Sequence, residues 1–307
     1  MSGDKEFGAY LALFSAVIFW GISFVATKIA LESIPTFTLI LARFALAGCV
    51  FLILMVLRGF PRLTRKDHGK VILIALCEPG LYFTFETIGL QYTTAPMASL
   101  IIATIPVAVF ILATLFLGER TRLVGIVGMV ASLAGIAILI TADPHFTWSV
   151  SGNLLGDLLI FGAVLSAAFY MVCARSLGKN RSAMEFTGLQ TIYGALLFVP
   201  AFLWELPEVR WAEMTMRSVA AVGFLTLFAT IGAFLCYNHA LTRLPATRAA
   251  IFINGIPVVT ALSAWVLLGE WLTVVQMSGG AMVLAGVFLA NSYGAREVSP
   301  ELKGLIS

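Results

Sequence analysis

Three ionisable side chains recur at every fourth position in one apolar stretch of the chain: Glu78, Tyr82 and Glu86. Residues four apart lie on one face of a helix, so this spacing places two carboxyl groups and a phenol side by side. In a cavity such a face could bind a substrate amine; in a packed interface the same groups would pair with neighbouring helices. We interpret Glu78, Tyr82 and Glu86 as candidate substrate-binding residues.

The two carboxyl groups of this stripe could also carry protons. A lone carboxylate in a low-dielectric interior tends to bind a proton unless a cation lies near. Glu78 and Glu86 are therefore candidate sites for proton coupling as well as for substrate binding.

Aromatic and polar residues of other apolar stretches extend the predicted substrate-binding set to Trp20, Ser23, Tyr170 and Asn254. If these stretches cross a membrane, Trp20 lies far from the interfaces that Trp prefers. It is a candidate to pack against the apolar part of a substrate, with a packed core aromatic as the alternative. Asn254 can both donate and accept hydrogen bonds, which suits a zwitterionic ligand.

Prolines interrupt three of the apolar stretches and predict hinges. Pro79-Gly80 directly follows Glu78, while Pro106 and Pro257 each lie near the middle of a stretch. A proline frees backbone carbonyl groups that can bind a ligand or allow bending. We predict gating or hinge roles for Pro79, Gly80, Pro106 and Pro257, and an inner-gate or interface role for His239.

Three further charges within or beside the apolar stretches have structural interpretations. Arg43 could bind a substrate carboxylate with its guanidinium fork, or it could pair with Glu86; we favour the structural pair. Glu119 and Glu270 stand at equivalent places near the ends of two stretches. We expect each to cap the following helix or to brace a turn.

The elements that position these residues follow from the composition: 60% of the residues are hydrophobic and only 11% are charged. A soluble domain has about 25% charged residues. Backbone groups in hydrocarbon must pair within their own segment, so the apolar stretches are predicted to be membrane-spanning helices. Ten can be drawn: 8–30, 36–57, 70–90, 97–117, 122–141, 153–175, 184–204, 217–241, 247–268 and 273–293.

Other classes of function lack their sequence signatures. The chain has no basic stripe of the kind that nucleic acid needs. It has no HExxH, GxSxG or P-loop motif, so an enzyme is not expected. The four cysteines lie in apolar stretches without metal-ligand spacing, and we predict neither a cofactor nor a metal site.

The second half of the chain repeats the first. Pro106-Val107 reappears as Pro257-Val258, and Gly118-Glu119 reappears as Gly269-Glu270, at an offset of 151 residues. The front parts, 15–28 and 162–175, correspond at an offset of 147. Two similar apolar halves indicate a membrane transporter with its site between the halves. The predicted organisation is a first repeat over 1–141, an external linker over 142–152, a second repeat over 153–293 and a cytoplasmic tail over 294–307.

The distribution of basic residues predicts the orientation. With the N-terminus in the cytoplasm, all but four of the 19 Lys and Arg residues fall in cytoplasmic loops or tails. The positive-inside rule therefore places both termini inside. Because each half has five helices, an odd number, the second half enters from the opposite side. The expected fold is an all-α integral membrane protein of ten helices, arranged as two inverted five-helix repeats around a central cavity.

The order of short motifs, duplicated at fixed spacing, resembles the ten-helix branch of the drug/metabolite transporter superfamily, with tandem EamA domains. The motifs are Phe19-Trp20-Gly21, Leu41-Ala42-Arg43-Phe44, Gly89-Leu90-Gln91-Tyr92-Thr93, Pro106 and Leu117-Gly118-Glu119-Arg120, then Tyr237-Asn238-His239-Ala240-Leu241, Pro257 and Leu268-Gly269-Glu270. The resemblance implies export of small metabolites, and it is nearest to bacterial exporters of aromatic and neutral amino acids.

The two halves also differ. Gln190 stands where the first half has Arg43, and Ala167-Ala168 stands where it has Trp20-Gly21, so we expect an asymmetric site. Small residues in the fifth and tenth helices predict close packing, as a dimer interface or a scaffold.

The expected function is export across the bacterial inner membrane by alternating access, with a small molecule and membrane lipid as partners. The alternatives are an efflux pump for cationic drugs, and a membrane enzyme or scaffold without flux. The sequence leaves the oligomeric state open.

Overall fold

A computed structural model of the protein describes residues 2–60, 64–117, 123–142, 152–177, 183–241 and 255–293. These residues form helices and their connections, and no strand occurs among them. The prediction of an all-helical chain is therefore confirmed for this part of the protein.

The described residues before the predicted linker over 142–152 form seven helices and one π-helical segment, which interrupts the third apolar stretch. They are α1 (Ser2–Leu31), α2 (Thr36–Arg58), α3 (Arg65–Ala75), the π-helical segment Leu76–Leu81, α4 (Tyr82–Gly89), α5 (Ala95–Ile102), α6 (Ile105–Leu117) and α7 (Leu123–Thr141).

The part of the chain after the linker has a similar succession of elements. It contains α8 (Asn153–Leu177), α9 (Ala183–Glu205), two short 3-10 turns (Leu206–Glu208 and Trp211–Glu213), α10 (Met216–Phe224), the π-helical segment Leu225–Gly232, α11 (Ala233–Leu241), α12 (Ile256–Leu268) and α13 (Val274–Tyr293).

Seven stretches of the described helices are long and apolar enough to cross a membrane. They are Phe7–Leu31, Thr36–Leu57, Asp67–Gly89, Leu123–Thr141, Asn153–Met171, Thr187–Glu208 and Met216–Tyr237. Shorter apolar helices at Ala95–Val109, Ile256–Leu268 and Val274–Leu289 coincide with the fourth, ninth and tenth predicted spans. Large apolar side chains on the outside of the bundle, among them Val130, Leu196 and Leu262, are well exposed, as expected for a surface covered by lipid.

Helix boundaries follow from local chemistry. Thr94 and Thr215 cap α5 and α10, because their side chains accept hydrogen bonds from the backbone N–H groups of the first turn. Gly59 and Gly269 follow α2 and α12 with φ of 96° and 69°, a backbone conformation that glycine adopts without steric cost.

The N-terminus of α2 is capped by a distant residue rather than by its own N-cap. Pro35 has no side-chain donor or acceptor, and the carboxylate of Glu205, at the end of α9, takes this role. Glu205 Oε1 accepts from Phe37 N at 3.1 Å, and Oε2 accepts from Thr38 N at 2.7 Å and from Thr38 Oγ1 at 2.8 Å. This contact fixes α9 to α2 at one end of the bundle.

Helices α7 and α13 pack on each other at backbone contact distance. A Cβ atom at Gly135 would lie 2.8 Å from Gly279 O, and one at Gly286 would lie 2.6 Å from Gly128 O. Small residues permit this approach, as the sequence predicted. The pair forms a scaffold within the chain, and among the described residues neither helix contributes to the cavity described below.

The helices that surround the cavity come from both halves. Helix α1 packs against α10, α11 and α12, while α8 packs against α4, α5 and α6; α2 packs against α9. The largest hydrophobic core joins residues of both halves, including Phe24, Leu100, Val164, Leu225 and Val283.

Candidate functional site

A cavity of about 320 Å³ lies between the two halves. That volume is in the range of small-ligand sites. All six described residues that the sequence predicted for substrate binding line it: Trp20, Ser23, Glu78, Tyr82, Glu86 and Tyr170. The seventh predicted residue, Asn254, lies outside the described residues. Pro106, Pro257 and Arg43 also line the cavity.

The helix that carries the carboxylate stripe breaks at Glu78. Its φ and ψ of −144° and 115° are not helical, and Pro79 and Gly80 after it are buried rather than cavity-lining. Gly194 of α9 lies against the Pro79 ring, where a Cβ atom would collide with it. The break predicted from Pro79-Gly80 is therefore present, and α9 packs closely over it.

Two side chains of the second half hold the broken turn. Gln190 Nε2 donates to the main-chain oxygen of Glu78 at 2.6 Å, and Tyr170 donates its hydroxyl hydrogen to Gln190 Oε1 at 3.2 Å. Gln190 is a buried residue of α9. Its amide therefore links the cavity-lining Tyr170 to the backbone of cavity-lining Glu78.

Two side chains of the first half contact the other π-helical segment, Leu225–Gly232. Trp20 Nε1 donates to Ala229 O at 3.2 Å, and Arg43 Nε donates to Thr230 Oγ1 at 2.7 Å. Thr230 in turn donates to Leu225 O at 2.9 Å. Each half thus supports the widened turn of the other half.

The ion pair predicted between Arg43 and Glu86 is wrong as a direct contact. Among the described residues Arg43 forms no ion pair with Glu86, although the two interact electrostatically across the cavity wall. The guanidinium instead bonds Thr230 and lies 4.5 Å from the centre of the Phe83 ring. A hydroxyl acceptor and an aromatic face can stabilise a buried cation without a carboxylate.

Glu86 lines the same cavity and forms no ion pair with Arg43 among the described residues. It is only 3% exposed, and its Oε2 atom has no hydrogen-bond partner among the described residues. A buried polar atom without a partner is costly. Together with its position on the cavity wall, this makes Glu86 the group in the site that most needs a ligand or a proton.

Three aromatic side chains in mutual contact also line the cavity. The Trp20 ring lies 5.4 Å from that of Phe234 in an edge-on arrangement and 5.3 Å from that of Tyr237. Both partners belong to α11 and line the cavity. Edge-on and tilted aromatic contacts of this kind are favourable, and the three rings give this part of the cavity an apolar lining.

The prolines predicted as hinges start helices. The chain turns at Ala103 and Thr104 before α6, and Pro106 is the second residue of that helix. Pro257 likewise is the second residue of α12, which follows Gly255. Proline is well tolerated there because the first helical residues need no backbone donor. Both prolines line the cavity at the point where a helix begins.

The remaining predicted residues either do not line the cavity or lie outside the described residues. His239 is an exposed residue in the last turn of α11 and is not part of the cavity wall. Glu119 lies outside the described residues.

Glu270 has a different role from the one expected. It does not cap the helix that follows it, because Thr273 and Gln276 cap α13 themselves. Its Oε1 atom pairs with Lys28 Nζ at 2.5 Å, and its Oε2 atom accepts from Ala95 N at 2.8 Å. Glu270 thus caps α5 from another part of the chain.

A network around Lys28 joins four parts of the chain where α1 ends and α5 begins. Lys28 Nζ also donates to Thr93 O at 2.8 Å, and Thr93 Oγ1 donates to Asp157 Oδ1 at 2.6 Å. We call Lys28, Thr93, Ala95, Asp157 and Glu270 the Lys28 network. It lies beyond Ser23 and Phe24 along α1, past the part of that helix that lines the cavity.

Several cavity residues were missed by the sequence analysis. Ser99, Ile102, Ala103, Met171, Thr187 and Phe234 line the wall without forming a motif. The turn before Pro106 is a usable signal for Ile102 and Ala103, because irregular backbone within a membrane is tolerated only where it is buried in protein or lines a water-filled cavity. Within the described ranges, no group of His, Cys, Asp and Glu could hold a metal ion.

Comparison with known proteins identifies the class. The sequence profile of the EamA-like transporter family matches residues 7–141 and again residues 154–292. The chain therefore belongs to this family of membrane transporters.

Individual relatives are distant but span nearly the whole chain. An uncharacterized transporter of Bacillus subtilis, YetK, is 28% identical over 93% of this chain and 87% of its own length. A probable terminal-alkyne amino-acid exporter of Streptantibioticus cattleyicolor is 26% identical over 92% and 93%. A solved structure described as "Crystal structure of protein" shares the fold, with a TM-score of 0.66, 19% identity, and coverage of 92% of this chain and 98% of that one.

Proposed function

We propose that this transporter exports small metabolites, with neutral and aromatic amino acids as the substrate class, across the bacterial inner membrane. The observation that carries the proposal is the buried Glu86 carboxylate, which faces a cavity between the halves and has an oxygen without a partner among the described residues. Export of an amino acid by a distant relative, named as a probable exporter, supports the same substrate class.

The chemistry of the cavity wall suits a zwitterion with an apolar side chain. Glu86 and Glu78 would bind the ammonium group, and Arg43, which uses only Nε for Thr230, would bind the carboxylate. The rings of Trp20, Phe234 and Tyr237 would contact the side chain. In this arrangement Tyr82, Ser23, Tyr170 and Asn254 supply further hydrogen bonds.

We propose that the protein works by alternating access. In this mechanism the chain forms two inverted five-helix repeats, with ten spans in all and both termini in the cytoplasm. The mechanism is supported by contacts that recur between equivalent helices: α1 with α12, and α8 with α6. Helix starts before Pro106 and Pro257 at corresponding places also support it. In this arrangement the Lys28 network closes the outer end of the cavity, and Pro79-Gly80, Pro106 and Pro257 are hinges.

The test is transport by the purified protein in liposomes. The liposomes are supplied with radiolabelled phenylalanine, leucine or alanine, or with ethidium as a cationic drug. Each solute is tested with and without a pH gradient. Saturable amino-acid flux that Glu86→Gln reduces would support the proposal, and dependence on the gradient would assign proton coupling. Ethidium flux alone would favour a drug efflux pump. Absence of flux for every solute, with folded protein, would contradict a transport function for this site.

A further inference from the structure

The two π-helical segments occupy equivalent positions in the two halves. The offset of 151 residues that relates the halves places 76–81 over 227–232, inside the segment Leu225–Gly232. The first segment contains the kink at Glu78, and the second is a widened π-helical turn, a feature that occurs frequently at functional sites. Both segments here lie next to the cavity, because Glu78 lines it and Thr230 binds the cavity-lining Arg43.

Each widened turn is held by the same position of the opposite half. Arg43 of α2 bonds Thr230 in the second segment, and Gln190 of α9 bonds the main-chain oxygen of Glu78 in the first. Residues 43 and 190 are related by the offset of 147 that aligns the front parts of the halves. The substitution of Gln for Arg between the halves therefore changes the chemistry of the contact, while the contact stays within the equivalent segment: a main-chain oxygen in one half and a side-chain hydroxyl in the other.

The hydrogen bonds of Gln190 define its orientation. The amide nitrogen donates to the Glu78 carbonyl at 2.6 Å, while the amide oxygen accepts from the Tyr170 hydroxyl at 3.2 Å. Only one of the two amide orientations satisfies both contacts. With 9% exposure, the side chain has little room to leave this position.

We propose that Gln190 is a positioning residue, which fixes the non-helical turn at Glu78 so that the Glu78 side chain faces the cavity. Without this donor the break at Pro79 remains, but the backbone of Glu78 is no longer held against α9, so the turn can shift and carry the Glu78 side chain off the wall. Selectivity for substrates with an ammonium group then depends on Gln190, although Gln190 does not line the cavity itself. This last consequence rests on the proposed function.

The first test measures where residue 78 faces and needs no substrate. The four native cysteines are replaced by alanine, and Glu78→Cys introduces a single new thiol. The rate at which this thiol reacts with a cationic methanethiosulfonate reagent is then measured. Gln190 bonds the backbone at 78, so the contact survives this substitution. Adding Gln190→Met should slow labelling about fivefold, as expected for the loss of one hydrogen bond. An unchanged rate would overturn the proposal.

A matched control removes a second buried amide far from the cavity. Gln276 caps α13 through Thr273, so Gln276→Met loses a similar contact at the scaffold. Added to Glu78→Cys, it should leave the labelling rate at position 78 unchanged. If both Gln variants slow labelling equally, the effect is general loosening and the positioning role is excluded. Gln190→Glu, which keeps the acceptor for Tyr170 and loses the donor, replaces Gln190→Met if that variant does not fold.

The second test is a double-mutant cycle on the KM for phenylalanine. Glu78→Gln and Gln190→Met should each raise KM, and the double variant should match Glu78→Gln alone, because Gln190 acts through Glu78. Fully additive effects would overturn the proposal. If no amino acid is transported, the proposed function fails, and the labelling rates still decide whether Gln190 positions residue 78.

Discussion

Arg43 Nε donates to Thr230 Oγ1 at 2.7 Å, across 187 residues of sequence and from one half of the protein to the other. This bond directs the Arg43 side chain to the second half, and Arg43 forms no ion pair with Glu86 among the described residues. The Glu86 carboxylate is buried and faces the cavity. Substitution of Glu86 is therefore the most direct probe of the site.

Glu86→Gln should reduce amino-acid transport about tenfold, the effect of losing a charge-assisted hydrogen bond worth about 1.5 kcal/mol to the substrate ammonium group. The thermal unfolding midpoint in detergent should stay the same or rise, because a buried charge without a direct partner is replaced by a neutral amide. Flux and abundance are measured on the same liposome preparation.

Glu205→Gln is the matched control for that prediction. Glu205 is also buried, and its carboxylate accepts three hydrogen bonds at the start of α2. An amide keeps one acceptor oxygen, so the variant should lose about 1–2 kcal/mol of stability and keep its KM. Wild-type flux in Glu86→Gln, or an equal KM change in both variants, would remove Glu86 from the substrate site.

Lys28→Met should open the outer end of the cavity, which we propose that the Lys28 network closes. The side chains of Lys28 and Glu270 are 23% and 18% exposed, so breaking the pair should cost roughly 1–2 kcal/mol, between the values of exposed and fully buried pairs. In a background without native cysteines, Ser23→Cys should be labelled faster by a membrane-impermeant thiol reagent added outside.

Glu270→Gln should have the same effect on labelling as Lys28→Met, and the double variant should add little to either. The exposed pair Arg210–Glu213 is the control, since Arg210→Met removes a surface ion pair that touches neither the cavity nor the network. Slower labelling in Lys28→Met would contradict a closing role for the network.

Pro106→Ala and Pro257→Ala should each slow transport several-fold while the substrate KM changes little. Restoring a backbone N–H at the second residue of α6 or α12 favours continuation of the helix through the preceding turn, which stiffens the hinge. Pro200 lies inside α9, is exposed, and does not line the cavity, so Pro200→Ala is the control with unchanged flux. Wild-type kinetics in both hinge variants would contradict proline-dependent gating.

Gly135→Ala should destabilise the protein by about 1–3 kcal/mol, the usual effect of overpacking, because the new methyl group meets the backbone of α13. Gly223→Ala is the comparison: it lies in a helix with open space around it and should be neutral or stabilising by up to about 1 kcal/mol. The measurement is the thermal unfolding midpoint of both variants. If Gly135→Ala and Gly223→Ala had equal unfolding midpoints, the contact between α7 and α13 would have room for a methyl group, which would contradict the close packing of these helices.

The sequence analysis identified the features that depend on local chain geometry. Residues four apart share a helix face whatever the helix packs against, so the common face of Tyr82 and Glu86 was predictable, and both line the cavity. Glu78 lines it as well, although the helix breaks at that residue. Proline breaks and small-residue packing are also local, which is why the turn before Pro106 and the glycines of α7 were found. The resemblance to the EamA family rested on the order of such local motifs, and the profile match confirmed it.

The pairing of polar groups depended on the tertiary structure. Glu270 reaches Lys28 across 242 residues, and Gln190 reaches Glu78 across 112. The spacing of residues along the chain does not specify which helices of opposite halves become neighbours. A buried charged group can also pair with any partner of suitable geometry. The amino-acid sequence alone therefore determined an apolar, duplicated, helical chain with an acidic stripe. Only the packing of the two halves decided that Arg43 would bind Thr230 and leave Glu86 facing the cavity.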